Sequence, residues 1–164
     1  MAITAAEIQY RLSGGASNSD PNASLGGVKS STQSGTNLFD AVSSAQATSG
    51  LTEYRCVYVH NANATLGMIA AKIWIATQTP SADTSVEIGL GTSAIGATEQ
   101  TVANETTAPT GVTFSAPSSF AAGLTIGDVP AGSSKAVWIK RIVTAGAAPA
   151  TDGFTLSTQC DSNP

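Results

Sequence analysis

The sequence predicts an all-β protein: an antiparallel two-sheet β-sandwich, jelly-roll or Ig-like, of about eight strands with an extended N-terminal arm. Three observations carry this. From Glu53 onward, short β-branched and aromatic runs recur between Gly-, Pro- and Ser-rich turns, the spacing that two facing antiparallel sheets produce. No helical segments alternate with those runs, which argues against a parallel α/β sheet. Ahead of them, Gly14 to Gly50 shows little periodicity, and a loop that long inside a compact domain would be unusual. The expected division is therefore an arm over residues 1–50 and a sandwich over 51–164.

Taken in order, Thr4 and Glu7 have capping-box spacing and open a helical turn that runs toward Leu12 before Gly14 stops it. Ile3, Ile8 and Leu12 would share one face of that turn, docked either on the body or on a partner. Asp20-Pro21, Gly26-Gly27 and the Ser/Thr clusters punctuate the stretch from Gly14 to Gly50. Leu38, Phe39 and Val42 anchor the end of the arm.

The first core strand is expected at Tyr54 to His60, bounded by a turn at Asn61 to Asn63. Met68 to Ala76 comes next, with Ile69, Ala71, Ile73 and Ile75 on one face and Lys72 and Trp74 on the other. Further strands are expected at Ser85–Leu90, Glu99–Val102, Val112–Ser115, Leu124–Ile126, Lys135–Val143 and Phe154–Thr158. Trp74 and Trp138 lie in the two strongest strands, where core packing is the ordinary role; an exposed sugar platform is the alternative.

Composition bears on partners. Of 164 residues only 11% are charged, against roughly 25% in an ordinary soluble domain. Ser, Thr, Asn, Gly and Ala must then cover much of the surface, and such a surface is covered by a neighbour with few hydrated charges to strip. That suits a protein that lives in an assembly. The net charge is −4, and only Lys140 and Arg141 are adjacent basic residues, so no basic stripe for nucleic acid is expected. No apolar run is long enough to span a membrane. Met1 to Thr4 lacks the start of a secretory signal, so use without export is expected, and the glycosylation-like triplets at Asn22, Asn63 and Asn104 read as chance.

Chemistry is sparse. His60 is the single histidine and sits at a strand end. With Cys56 and Cys160 it does not make up a usual zinc set. Asp20, Asp83, Asp128 and Asp152 fall in turns, where Asp normally caps backbone; a weak calcium site from two of them is the alternative. No nucleophile elbow, phosphate loop or dinucleotide fingerprint occurs. We expect no catalytic residue, no cofactor and no resident metal, and free thiols at Cys56 and Cys160 in a reducing compartment.

Four stretches carry a family resemblance. Leu12 to Gly27 reads Leu-Ser-Gly-Gly-Ala-Ser-Asn-Ser-Asp-Pro-Asn-Ala-Ser-Leu-Gly-Gly, and Glu53 to Val59 reads Glu-Tyr-Arg-Cys-Val-Tyr-Val. With Gly111 to Pro117 and Ile126 to Val143, they resemble small virion structural proteins of tailed bacteriophages. Size and strand pattern are similar to the capsid decoration, or cement, proteins of that group. The resemblance implies a non-enzymatic protein of the virion capsid surface, assembled in the bacterial host cytoplasm. It implies a homotrimer that binds the outer face of the head and stabilises contacts between major capsid protein subunits. Ile8, Leu12, Asp20, Asn22, Leu25 and Val28 are the expected partner-binding residues of the arm. A tail or collar component, or a receptor- or glycan-binding module presenting Tyr58, Trp74 or Trp138, is the alternative.

Overall fold

The computed structural model describes residues 2–162; Met1, Asn163 and Pro164, the outer ends of the two expected segments, lie outside the described residues. The chain is mostly β, and every strand pairing is antiparallel. In chain order the strands are β1 (Ile8–Leu12), β2 (Gly26–Gly27), β3 (Leu51–Asn61), β4 (Met68–Thr77), β5 (Thr84–Leu90), β6 (Glu99–Thr101), β7 (Leu124–Val129), β8 (Ser134–Val143) and β9 (Thr155–Ser162). A four-stranded sheet runs β1-β3-β8-β5, a three-stranded sheet β7-β4-β9, and β2 pairs with β6. The one α-helix among the described residues, α1 (Ser44–Ser49), is a single capped turn ahead of β3.

One apolar cluster joins the two larger sheets. Leu12, Val57, Val59, Val86, Ile88, Val137 and Ile139 enter it from the four-stranded sheet, and Met68, Ala71, Ile73, Ile75, Ile126 and Val129 from the three-stranded one. The opposite face of the four-stranded sheet is also covered. Tyr54, Cys56, Tyr58, Ala136 and Trp138 pack there against Val102, Leu25, Val112 and Phe114, all from loops or short strands. Residues at both parities along β3 are therefore buried, and Glu53 to Asn61 form an unbroken buried run. Trp138 is 0% exposed. Its replacement by Ala should cost about 3 to 5 kcal/mol, read as a shift in the urea midpoint at unchanged slope.

Several expectations are corrected here. The N-terminal helical turn stops at Glu7: Ala5–Glu7 is a 3-10 turn with the expected capping box, and Ile8–Leu12 continues as strand β1, in register with Asn61 to Val57 of β3. The unsatisfied edge of β3 draws these residues into a ladder, which outweighs their local helical spacing. In β4 the bulge at Ala70, at φ 51°, shifts the alternation, so Met68 rather than Ile69 shares the core face with Ala71. Val112–Ser115 is not a strand; Ser115 makes an isolated bridge to Ile88. Trp74 is half-buried, not a core residue, because it stands on the outer face of β4.

The largest correction concerns the arm. It does not stand apart from the body. Leu12 is 1% exposed, and β1 is itself flanked by residues 30–34: Ser30 N–H donates to Leu12 O at 2.8 Å, Leu12 N–H to Thr32 O at 3.0 Å, and Ser34 N–H to Tyr10 O at 2.8 Å. Where β1 ends, Ser24 takes its place beside β3, accepting from Cys56 N–H at 2.8 Å. Segments without hydrophobic periodicity can still fold onto a sheet when their backbone supplies the bonds the sheet edge lacks.

Candidate partner-binding surface

The loop layer of residues 13–30 is built from short polar side chains standing in for backbone. Ser13 Oγ donates to Cys56 O at 2.8 Å and accepts from Gly26 N–H at 3.1 Å. Asn18 Nδ2 donates to Ser13 O at 2.6 Å and Asp20 O at 2.9 Å, and Ser30 Oγ donates to Asn18 O at 2.6 Å. Ser13, Ser24 and Ser30 are fully buried. Gly26, at φ 94°, lies so close to β6 that a Cβ there would sit 1.8 Å from Gln100 O, so only glycine fits. This accounts for part of the Ser/Asn/Gly content of the stretch: the side chains of Ser13, Asn18, Ser24 and Ser30 bond inside the fold, while Ser17, Ser19 and Asn22 are exposed.

The six residues expected to bind a partner are separated by this geometry. Leu12 is in the core and Ile8 is a half-buried residue packed beside it. Leu25 packs toward Trp138 and Tyr58. Asp20 caps the 3-10 turn Pro21–Ala23, accepting from Asn22 N–H at 2.9 Å. Asn22 is exposed, but its Oδ1 accepts from Arg55 Nη2 at 3.0 Å. Only Val28, 47% exposed, offers an uncommitted apolar side chain. Lys72 and Trp74, noted in the sequence, meet a residue it gave no reason to single out. Phe120, 43% exposed, packs edge-on to Trp74 with ring centroids 5.9 Å apart, and Lys72 Nζ lies 5.2 Å from the Phe120 centroid. Tyr58 and Trp138, the other two candidates for a sugar platform, are buried.

Charge gathers at one place. Arg55 is fully buried on β3 and donates from Nη2 to Glu105 Oε2 at 2.5 Å, with Asp40 Oδ1 at 3.6 Å. Arg141 on β8 donates from Nε to Glu53 Oε2 at 2.9 Å and from Nη1 to Asp40 O at 2.8 Å. The Phe39 ring lies against both guanidiniums, 5.4 Å from Arg55 Cζ and 4.7 Å from Arg141 Cζ. Asp40, Glu53 and Glu105 bring carboxylate oxygens within 4.8 Å of one another, close enough to share a cation. The two arginines already supply that positive charge, and the group functions as an ion-pair cluster that fastens the Phe39–Asp40 loop. Burial pushes the Glu53 carboxyl up and the Arg141 charge draws it down, leaving it above its ordinary value. The fastened loop helps line an open, mostly apolar pocket of about 950 Å³, whose walls include Leu38, Phe39, Val86, Ile139, Phe154 and Leu156.

The other titratable groups serve the fold. His60 Nδ1 bonds to Ser133 O at 3.0 Å, and burial, followed by the charges of Lys29 and Arg11, holds its pKa down. Asp128 accepts from Ala70 N–H, Asp152 from Ser81 N–H and Asp83 from Ala148 N–H; these carboxylates tie distant segments together where capping of their own turns was expected, and Asp128 lies in strand β7, not in a turn. Cys56 and Cys160 are unbridged; Cys56 lies in the Trp138 cluster and Cys160 beside the inter-sheet one.

Glu99 shows how the loops are locked. Burial opposes its charge, but Ser93 Oγ at 2.7 Å, Ser93 N–H at 3.0 Å and Thr92 N–H at 3.2 Å all donate to it, and together they hold its pKa at about 2. The folded pKa lies below the ordinary 4.5, so this contribution is complete above pH 4.5 and lost as pH falls toward 2. It amounts to on the order of 3 kcal/mol. Glu99→Gln should flatten the stability–pH curve across that window, measured by urea unfolding at stepped pH.

Compared with protein-family models, curated proteins and solved structures, the chain matches none. Among the described residues no helix is long and apolar enough to cross a membrane.

Proposed function

We propose that this chain is a non-enzymatic capsid decoration protein of a tailed bacteriophage, its two larger sheets forming a jelly-roll or Ig-like sandwich. In this reading it binds the outer face of the head, as a homotrimer, and stabilises contacts between major capsid protein subunits. The observation that carries the reading is a loop layer held to the body by its buried Ser13, Ser24 and Ser30, leaving an outer surface of small polar residues with few charges. Such a surface docks on a neighbouring lattice with little desolvation cost. The sequence resemblance to small virion proteins supplies the partner. Each subunit would bury a modest area, and repetition over the shell would multiply the effect without tight binding at any single site.

The contact surface proposed is a folded patch around Val28, Asp20 and Asn22, not a free strap. Val28→Asp changes an exposed side chain and should leave the melting temperature within a degree or two, while lowering co-sedimentation with undecorated heads. Undiminished binding by that variant would move the contact elsewhere on the body. Failure of the unaltered protein to bind heads would end the decoration reading, and a copy number of a few or dozens per particle in place of hundreds would assign it to the tail or collar. The Trp74–Phe120 pair favours one second reading, a glycan-binding virion module, because an exposed aromatic pair beside Lys72 suits a sugar face. Glycan-array binding abolished by Trp74→Ala would select that reading.

A further inference from the structure

We infer that the outer edge of β9 is a self-association interface, at which β9 of a second copy of this chain adds antiparallel across a two-fold axis. The inference rests on the sheet edges and the side chains of β9, concerns the free chain in solution, and does not draw on the trimer proposed for the head.

The two larger sheets have four outer edges, and three are closed or broken. Along β1, residues 30–34 already occupy the edge through the bonds at Leu12, Ser30 and Tyr10. On β5, Ile88 and Ser115 exchange both main-chain bonds, at 2.8 and 3.0 Å. β7 is interrupted by Gly127 at φ 91° and followed by Pro130, and the Asp128 side chain turns back to Ala70 N–H at 2.9 Å. These are the devices by which soluble proteins keep sheet edges from pairing.

β9 has none of them. It is eight residues long, Thr-Leu-Ser-Thr-Gln-Cys-Asp-Ser, without Pro, Gly, Lys or Arg. It pairs with β4 on one side, and among the described residues no main-chain-to-main-chain hydrogen bond reaches the other; the N-terminal segment approaches only its last residue, where Ile3 N–H donates to Ser162 Oγ at 2.8 Å. An edge of this length left unpaired presents a row of donors and acceptors suited to another strand.

The side chains point to a second copy. Leu156, Thr158 and Cys160 face inward: Leu156 and Cys160 pack on the inter-sheet cluster, and Thr158 Oγ1 bonds to Tyr10 Oη at 2.8 Å. Ser157 and Gln159 face outward, opposite Trp74 and Lys72 of β4. Asp161 is the only charged residue of the strand. A two-fold through Thr158 sets Asp161 opposite Thr155, Ser157 opposite Gln159, and Leu156 opposite Cys160, so no like charges meet and apolar faces apolar. The strand is thus complementary to itself, and the product is a six-stranded sheet closed by symmetry.

The test is sedimentation velocity on the full chain across a concentration series up to about 100 µM. A concentration-dependent dimer is expected. Ser157→Lys combined with Gln159→Lys sets like charges opposite each other in that register and should weaken the dimer at least about tenfold, with circular dichroism unchanged and only a small loss of melting temperature from the new lysine opposite Lys72. The matching Ser157→Glu and Gln159→Glu protein should also be monomeric alone, and mixing the two should restore a heterodimer. A monomer at every concentration for the unaltered protein, an assembly indifferent to both double variants, or no recovery on mixing would overturn the inference. Binding of β9 by an unrelated protein while the chain alone stays monomeric would likewise overturn it in favour of a foreign strand.

Discussion

A chain that begins at Gly35 is expected not to fold. The removed residues carry β1, which pairs along Val57 to Asn61, together with Leu12, one of the largest fully buried side chains. They also carry Ser24 and Leu25, which cover the face of Cys56, Tyr58 and Trp138. Loss of one buried Leu side chain alone costs about 2 to 5 kcal/mol, and a domain of this size holds only about 5 to 15 kcal/mol in all. Stripping the ladder, the buried leucine and the cover together exceeds that reserve. Far-UV circular dichroism and urea unfolding of the truncated chain check this; a cooperative transition at the original midpoint would show that β3 tolerates an open edge. Leu12→Ala, losing about 2 to 5 kcal/mol, gives the graded version.

Arg141→Met is expected to destabilise by about 3 to 5 kcal/mol at mildly alkaline pH, because it leaves the buried carboxylate of Glu53 without its partner. The sign with pH comes from the same geometry. Burial already raises the Glu53 pKa, and the Arg141 charge is the largest influence lowering it. Without that charge the folded pKa rises further. A raised carboxyl pKa stabilises most below the unfolded value and loses that advantage as pH rises through the folded one. The deficit of the variant should therefore shrink on acidification. Adding Glu53→Leu to Arg141→Met should recover much of the loss, since an apolar pair of similar volume needs no desolvation. Urea midpoints of the three proteins at two pH values provide the measurement, and an equal deficit at both would sink the assignment.

The strands from β3 onward were legible because a buried strand is written in its own residues. Tyr54 to His60, Met68 to Ala76 and Lys135 to Val143 carry β-branched and aromatic runs bounded by turns, and each forms. β1 was not legible. Ile-Gln-Tyr-Arg-Leu has as good a claim to a helical face as to a strand, and what decides it is the edge of β3, about fifty residues further along. The loop layer was misread for a related reason: Ser13, Ser24 and Ser30 look like solvent residues, and their burial depends on carbonyls that only the folded sheet brings near. Trp74 had the right alternation and the wrong burial, since nothing local tells the inner face of a sheet from its outer one. The Arg55–Arg141 cluster gave no signal either, its members being scattered from Asp40 to Arg141.

The order of strands in the four-stranded sheet has a consequence for how the chain comes into being. β3 is the most enclosed strand, yet its neighbour β8 is made about eighty residues later, and β5 also waits for β8. On a ribosome the run from Glu53 to Asn61 therefore emerges with only β1 to pair with, and stays open until Val143 has cleared the exit. Closure by such distant pairings is slow, on the order of milliseconds to seconds for small β domains. During that interval a nascent chain exposes the strand that the finished protein hides most completely, and crowding among copies being synthesised on one message is the stage at which this sequence is most exposed to aggregation.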